Sequence, residues 1–153
     1  FLPFTSSWGW ATWERAWKHF NPEAIGYNDL VKNRQKKRKF DLNGSYPYFR
    51  MLKKQLRGEI DSWAIRWYLS VFELNGLILY PCESLVKNIG FDGSGTHCGN
   101  ETVDNMLPNL GQAPVQFPEV KLDNHAFQVV SAYLSKKHSW ISRFLGKILL
   151  FRQ

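Results

Sequence analysis

Cysteine is scarce in this chain: Cys82 and Cys98 are the only two cysteines among 153 residues, and neither belongs to a CxxC pair. Two cysteines are too few for the disulfide framework of a small secreted domain, and their spacing does not suit a zinc site. This usage fits a reducing compartment. A disulfide between them stays open as an alternative, because both flank one segment with the pattern of a short β-hairpin.

Long apolar runs are absent as well, and no stretch of about 18 apolar residues predicts a membrane-spanning helix. The chain begins at Phe1, and its first residues lack the basic start, the long apolar stretch and the cleavage site of a signal peptide. We therefore expect it to be a cut from a longer protein. The length and the hydrophobic content of 44% allow one domain with a substantial core.

Acidic residues are outnumbered by basic ones, 13 against 20, which leaves a net charge of +7. This excess favours an anionic partner, such as nucleic acid, a phosphorylated ligand or an acidic membrane surface. Six of the cations lie within residues 32–39, a run typical of a solvated helix end or loop. No nucleic-acid-binding signature accompanies this run and no aromatic residues alternate with its cations, which disfavours nucleic acid as the partner.

Tryptophan, by contrast, is abundant, and six of the seven tryptophans sit in two short segments. Clustered indoles often line sites that stack on rings or sugars. The spacing of Trp10, Trp13 and Trp17 is i, i+3, i+7 and that of Trp63 and Trp67 is i, i+4, which the core face of a helix would also produce. Both interpretations stay open on spacing alone.

Hydrophobic periodicity and turn residues predict a helix-rich chain with little sheet. The predicted helices cover about residues 10–20, 46–56, 62–74 and 124–137, and a short buried strand covers residues 77–81 with residues 84–89 as its neighbour. Residues 21–39 form a polar, basic stretch, and residues 101–122 form an extended excursion.

The predicted helix at 62–74 is apolar nearly all round, with Arg66, Ser70 and Glu73 as a single polar stripe. Such a helix is buried and directs its stripe at a gap in the surface or at a site. Asp61 stands directly before it. An aspartate there either caps the helix or, fixed beside indoles, acts as a general base towards a hydroxyl.

His97 lies in a glycine-rich segment with four glycines in residues 90–99. It is a metal ligand, a phosphate contact or an ordinary surface residue, and no second histidine or carboxylate stands at ligand spacing. The segment is not a phosphate-binding P-loop, because no helix and lysine follow it.

The C-terminal segment, residues 136–153, has the pattern of a basic amphipathic helix. It either lies in a membrane interface or packs on the body of the protein. The absence of acidic residues after Asp123 favours an anionic membrane surface.

Three segments taken in order, Ser7–Trp13, Asp61–Trp67 and Asn88–His97, resemble the C-terminal half of bacterial family 2 glycosyltransferases. The resemblance covers roughly residues 5–98. It implies an α/β fold, α+β for this chain alone: the helix-rich C-terminal part of a GT-A fold with a short sheet portion. Residues 1–123 would be the acceptor-side part of the catalytic domain, and residues 124–153 a helical tail.

Such enzymes pass a sugar from a nucleotide-sugar donor to a glycan or lipid-linked acceptor, usually with inversion and with a divalent metal, Mn or Mg. The resemblance implies that Asp61 is the catalytic base and that His97 is a metal ligand. Arg66 would pair with Asp61 or approach the diphosphate. The implied substrate-binding residues are Trp8, Gly9, Trp10, Trp63, Arg66, Asp92, Ser94 and Thr96. Trp13, Trp17 and Trp67 are then predicted to be core.

The DxD metal motif of the donor half is missing from this chain. We therefore expect the chain alone to bind nucleotide sugar poorly, to lack activity and to self-associate. The intact parent would act in surface-polysaccharide synthesis, in the cytoplasm and peripheral to the inner membrane. The alternative is a non-catalytic, basic, aromatic-rich module that binds glycan, anionic lipid or nucleic acid.

Overall fold

A computed structural model describes residues 1–83, 85–86 and 116–138. In these ranges the regular secondary structure consists of helices and contains no strand. The helix-rich part of the predicted architecture is therefore confirmed. The helices are α1 (Glu14–Trp17), α2 (Tyr27–Lys32), α3 (Arg34–Phe40), α4 (Tyr48–Leu56), α5 (Trp63–Glu73) and α6 (Asn124–His138), and a 3-10 turn at Leu42–Gly44 joins α3 to α4.

The helix predicted at residues 10–20 is wrong over most of its length, because only α1 is helical. Gly9 adopts a φ of +53°, in the left-handed region. Trp13, at the start of α1, is extended with φ −84° and ψ 150°. The residues between them therefore leave the helical path, and the tryptophan spacing does not form one helix face.

The polar, basic stretch contains two short helices, α2 and α3, that the hydrophobic pattern did not reveal. Asn33 separates them with an extended backbone, and its side-chain Oδ1 accepts a hydrogen bond from the Lys36 N–H at 2.9 Å. An asparagine that caps the next helix in this way ends one helix and starts another.

The predictions for α4 and α5 are confirmed to within two residues at each end. The start of α4 is held from outside the helix, since Asp41 Oδ1 accepts the N–H of Phe49 at 2.7 Å. In α5, five consecutive residues from Trp67 to Val71 are buried. This run makes α5 the central helix, as its nearly continuous apolar character predicts.

The predicted strand at residues 77–81 is reduced to one antiparallel bridge, and its partner is Leu2. The N–H of Leu2 donates to the Ile78 carbonyl at 2.9 Å, and the N–H of Ile78 donates back at 2.8 Å. Of the neighbour predicted at residues 84–89, the structure describes only Leu85 and Val86, which are exposed. The first residues of the chain thus lie beside Ile78, where the sequence predicted residues 84–89.

One apolar core joins the N-terminus to the helices. Its buried residues are Leu2, Phe4, Ala24, Leu30, Phe40, Leu42, Leu52, Ile65, Tyr68 and Leu69. The prediction for α6 is confirmed, and its apolar side packs against this core through Phe127, Val130 and neighbouring residues. The Asp123 N–H donates to the Phe1 carbonyl at 3.0 Å, which fixes the start of α6.

The polar stripe of α5 faces other parts of the protein. Ser70 Oγ accepts the N–H of Asn21 and donates to the Arg66 carbonyl, both at 2.9 Å. Glu73 Oε2 lies 2.7 Å from Lys36 Nζ. The hydrogen bond to Glu73 raises the pKa of Lys36 despite partial desolvation. The stripe therefore holds the loop after α1 and helix α3 against α5.

Gly26 lies against the end of this stripe, and its replacement by alanine is our first prediction. Its φ is +104°, and a Cβ there would lie 2.7 Å from Cδ of Glu73. Glu73 would have to move and lose its contact with Lys36. We expect Gly26→Ala to lower the free energy of unfolding by about 1–3 kcal/mol through backbone strain, and by about 1 kcal/mol more through the lost charged hydrogen bond.

Gly44→Ala is the matched control, because Gly44 has a φ of +93° but a Cβ there would meet nothing within 4 Å. Urea unfolding of both variants should show the larger loss for Gly26→Ala. Equal losses would mean that the contact with Glu73 contributes nothing.

Candidate functional site

Five aromatic rings from three segments meet beside α5, and we call them the tryptophan cluster: Trp10, Trp17, Phe20, Trp63 and Trp67. The ring centroids of Trp10 and Trp63 are 5.2 Å apart, and those of Trp17 and Trp67 are 5.1 Å apart. Trp17 and Phe20 are stacked at 4.6 Å. Such distances are typical of interacting aromatic pairs.

The tryptophan cluster runs from the interior to the surface. Trp67 is only 5% exposed, whereas Trp17 is 39% and Trp63 is 38% exposed. The prediction that Trp67 belongs to the core is thus confirmed. Trp17 is instead at the edge of the cluster, because more than a third of its surface is exposed. A partly exposed indole held in place by neighbouring rings can stack on the flat C–H face of a sugar ring.

Trp13 was predicted to be core, and this is wrong, because its ring is 65% exposed. The extended backbone at the start of α1 turns it away from α5. The guanidinium carbon of Arg15 lies 4.8 Å from its ring centroid, a cation–π arrangement. Trp13 thus stands outside the tryptophan cluster.

Gly9 is required by a close approach between segments. A Cβ at Gly9 would lie 2.5 Å from Cγ1 of Val86, and its φ of +53° is one that other residues rarely adopt. The turn at Gly9 leaves Trp8 60% exposed and directs Trp10 into the tryptophan cluster. The Trp-Gly-Trp segment is therefore arranged by its glycine.

Asp61 is exposed, and it does not cap α5. The residue at the N-cap position is Ser62, which makes no side-chain capping bond, and the Ser62 N–H donates to Oε1 of Gln55. Among the described residues, the Asp61 carboxylate has no hydrogen bond and no ion pair. The capping interpretation is therefore wrong, and this carboxylate, two residues before Trp63, is open to an incoming hydroxyl.

Arg66 is half-buried and points towards the loop after α1. Its Nη1 donates to the Pro22 carbonyl at 3.4 Å, and its Nε is buried without a hydrogen-bond partner in the described part of the chain. Within that part, no ion pair joins Arg66 to Asp61. Of the two roles left open for Arg66, the pairing with Asp61 is not present.

The fold brings together only some of the residues predicted for the site. Trp10 and Trp63 touch, and Trp8, Gly9 and Asp61 lie in the segments that carry them. The others predicted for the site, Asp92, Ser94, Thr96 and the metal ligand His97, lie outside the described residues. Cys98 lies outside them too, and Cys82 is an exposed free thiol.

Sequence reasoning missed two aromatic contributors, Trp17 as a surface residue and Phe20. The signal that points to them is the Asn21-Pro22 turn, which ends the first segment just after Phe20. The Asn21 N–H bond to Ser70 fixes that turn against α5, so the rings before it must lie beside Trp67.

The described residues contain no group of three or more His, Cys, Asp or Glu side chains that could hold a metal ion. In the same ranges, no helix has the length and apolar character to cross a bilayer.

The tryptophan cluster and Asp61 are therefore the candidate site of the described residues. Comparison with known proteins identified no relative of the chain. No protein-family model, no curated protein and no solved structure matches the chain.

Proposed function

We propose that the chain is the acceptor side of a glycosyltransferase, in which the tryptophan cluster binds the acceptor sugar and Asp61 accepts the proton of its hydroxyl. The observation that carries this proposal is the contact between Trp10 and Trp63, at 5.2 Å. Asp61, two residues before Trp63, is an exposed carboxylate that makes no hydrogen bond or ion pair with the described residues. Packing alone explains Trp67, whereas Trp17 and Trp63 each keep more than a third of their surface exposed next to it.

The chemistry requires a flat apolar surface and one proton acceptor. Indole faces stack on the C–H face of the sugar, and the N–H edges remain able to donate to its hydroxyls. The acceptor oxygen attacks the anomeric carbon of the donor, its proton passes to the Asp61 carboxylate, and the nucleoside diphosphate leaves. Asp61 needs only to be ionised and within hydrogen-bond reach of that hydroxyl.

We assign the nucleotide-sugar donor and its divalent metal, Mn or Mg, to residues outside the described part, because no DxD motif occurs in this chain. His97 remains the proposed metal ligand of this chain. The proposed acceptor is a glycan or a lipid-linked sugar of surface-polysaccharide synthesis. The metal would stabilise the charge on the leaving diphosphate.

The acceptor half of this proposal is testable with the chain alone, by titrating it with hexose oligosaccharides and following tryptophan fluorescence. Trp63→Ala removes one exposed ring of the tryptophan cluster, and we expect about 5–10-fold weaker sugar binding. Trp63→Phe, which keeps a ring, should lose less. NMR chemical-shift changes would confirm where the sugar binds.

Trp13→Ala is the matched control, since Trp13 is exposed and lies outside the tryptophan cluster. Its sugar affinity should stay within about 2-fold of the parent chain. Weaker binding in Trp13→Ala together with unchanged binding in Trp63→Ala would overturn the assignment of the site.

A further inference from the structure

The positive charge of the protein is concentrated in one segment, residues 31–58. Ten of the 20 lysines and arginines lie there, but only one of the 13 acidic residues, Asp41. The segment therefore carries a charge of +9, more than the +7 of the whole chain, and the rest of the chain is slightly acidic. The positive charge therefore belongs to one part of the protein and is not spread over its whole surface.

Helix α4 presents its cations on one side. Arg50, Lys53, Lys54 and the following Arg57 have i, i+3, i+4, i+7 spacing, and all four are exposed. Leu52, on the other side of α4, is buried in the core. The basic side of α4 therefore faces solvent along the whole helix.

Helix α3 extends this surface. Lys37 Nζ lies 5.3 Å from the ring centroid of Phe49, which connects α3 to α4, and Arg34 and Arg38 share the side of α3 on which Lys37 lies. We call the combined surface the basic face. It consists of Arg34, Lys37, Arg38, Arg50, Lys53 and Lys54.

Few carboxylates neutralise the cations of the basic face. Asp41, the only acid in the segment, is half-buried and accepts the N–H of Phe49. In the described ranges, the ion pairs of this segment involve Lys36 and Arg57, whereas Arg50, Lys53 and Lys54 have none. Cations close together on one surface repel each other, and this repulsion destabilises the folded state. An anionic partner would reduce the repulsion.

We propose that the basic face binds the surface of a membrane that contains anionic lipid. Several exposed lysines and arginines on one helix side suit the diffuse negative charge of such a surface. Leu56, three residues after Lys53 and four after Leu52, lies at the edge of the basic side of α4; it is 43% exposed and can enter the headgroup layer. This inference does not depend on sugar transfer.

The rings near the basic face disfavour a nucleic acid as the partner. Phe49, the ring beneath Lys37, is half-buried and already stacked on Tyr27 at 5.7 Å. Single-stranded nucleic acids require open aromatic faces on which bases stack. The described exposed tryptophans lie in other segments, outside residues 31–58.

Vesicle sedimentation with the full chain tests this inference. We expect binding to phosphatidylcholine vesicles that contain phosphatidylglycerol, little binding to phosphatidylcholine alone, and weaker binding as salt increases. Replacing Lys53 and Lys54 by glutamine should lower the partition coefficient about 30-fold, or about 5-fold per cation. Circular dichroism should show an unchanged fold, because both side chains are exposed.

Lys18→Gln with Lys121→Gln is the matched control. It removes the same net charge from two exposed lysines that are ion-paired with Glu14 and Glu119, away from the basic face. Its partition coefficient should fall less than about 3-fold. An equal fall in both double variants would show a response to net charge alone and would overturn the proposal.

Two further measurements separate the competing sites and partners. A variant with Lys147→Gln and Arg152→Gln tests the C-terminal segment, and a labelled single-stranded RNA tests nucleic acid. The proposal is overturned if only the C-terminal variant loses vesicle binding, or if the chain binds RNA but not anionic vesicles. Loss confined to the Lys53 and Lys54 variant supports it.

Discussion

Asp61→Asn is expected to lower the turnover of the intact transferase by about 10²–10⁴-fold, because the amide cannot accept the proton of the acceptor hydroxyl. Donor binding and the folded state should remain unchanged. Asp61 is exposed and, in the described part of the chain, supports no hydrogen bond that the substitution would remove. Initial rates and donor affinity, measured on the same preparations, check both statements.

Glu59→Gln supplies the matched control, two residues earlier. Glu59 is an exposed carboxylate that lies 3.5 Å from Arg57 Nη1. Its replacement should change turnover by no more than about 2-fold, since an exposed ion pair contributes little. If Asp61→Asn retained full turnover, Asp61 would not be the base. If the intact parent protein bound sugar but transferred none from any nucleotide-sugar donor, the chain would be a sugar-binding module.

The helices with a continuous hydrophobic pattern were predictable from the sequence. In α4, α5 and α6 the pattern and the residues that end each helix agree, so local signals define the element. The short helices α2 and α3 were not predicted, because each is six or seven residues long and contains a single buried residue. Leu30 and Phe40 are fully buried, but they lie too far apart to form a visible period.

The N-terminal segment shows where local reasoning fails. Trp10 has the spacing of a helix face, but its ring packs on Trp63 and Trp67, which follow much later in the chain. The turn at Gly9 makes this packing possible. Long-range aromatic contacts outweigh a weak local preference for helix, and a single sequence contains no signal of which distant rings will meet.

The site was predictable in part for the same reason. Asp61 and Trp63 are neighbours in sequence, and their adjacency survives in any fold. Their position relative to Trp10 depends on how α5 packs, which no local pattern reveals. Ser62, not Asp61, stands at the N-cap of α5, and its N–H donates to Gln55, so Asp61 has no capping role.

Three tyrosines at the core lead to the second large effect: Tyr68 is buried, and Tyr48 and Tyr80 are partly buried. The rings of Tyr48 and Tyr68 lie 4.7 Å apart, the Tyr68 hydroxyl donates to the Phe40 carbonyl at 2.9 Å, and the Tyr80 hydroxyl donates to the Phe4 carbonyl at 3.1 Å. Desolvation raises the pKa of Tyr48, Tyr68 and Tyr80 well above the usual value. Each neighbouring phenol adds to this rise, because a second negative charge nearby is unfavourable.

Stability should therefore fall steeply at alkaline pH. A folded pKa above the unfolded value means that the stabilisation is complete below the unfolded pKa, about 10, and is lost as pH rises beyond it. Above that pH the unfolded chain releases protons that the folded chain retains. Each tyrosine then contributes a loss of about 1.4 kcal/mol per pH unit, or about 4 kcal/mol for three. Urea unfolding between neutral pH and pH 11 measures the slope.

Tyr68→Phe separates this ionisation from general alkaline damage. It should cost about 1–3 kcal/mol at neutral pH, because the buried Phe40 carbonyl loses its donor, yet it should reduce the alkaline slope by about a third. Tyr133→Phe is the matched control, since the Tyr133 ring is 63% exposed on α6. Tyr133→Phe should change neither the stability at neutral pH nor the loss of stability per pH unit above about pH 10. If that loss were the same in the parent chain, Tyr68→Phe and Tyr133→Phe, ionisation of the core tyrosines would not govern alkaline unfolding.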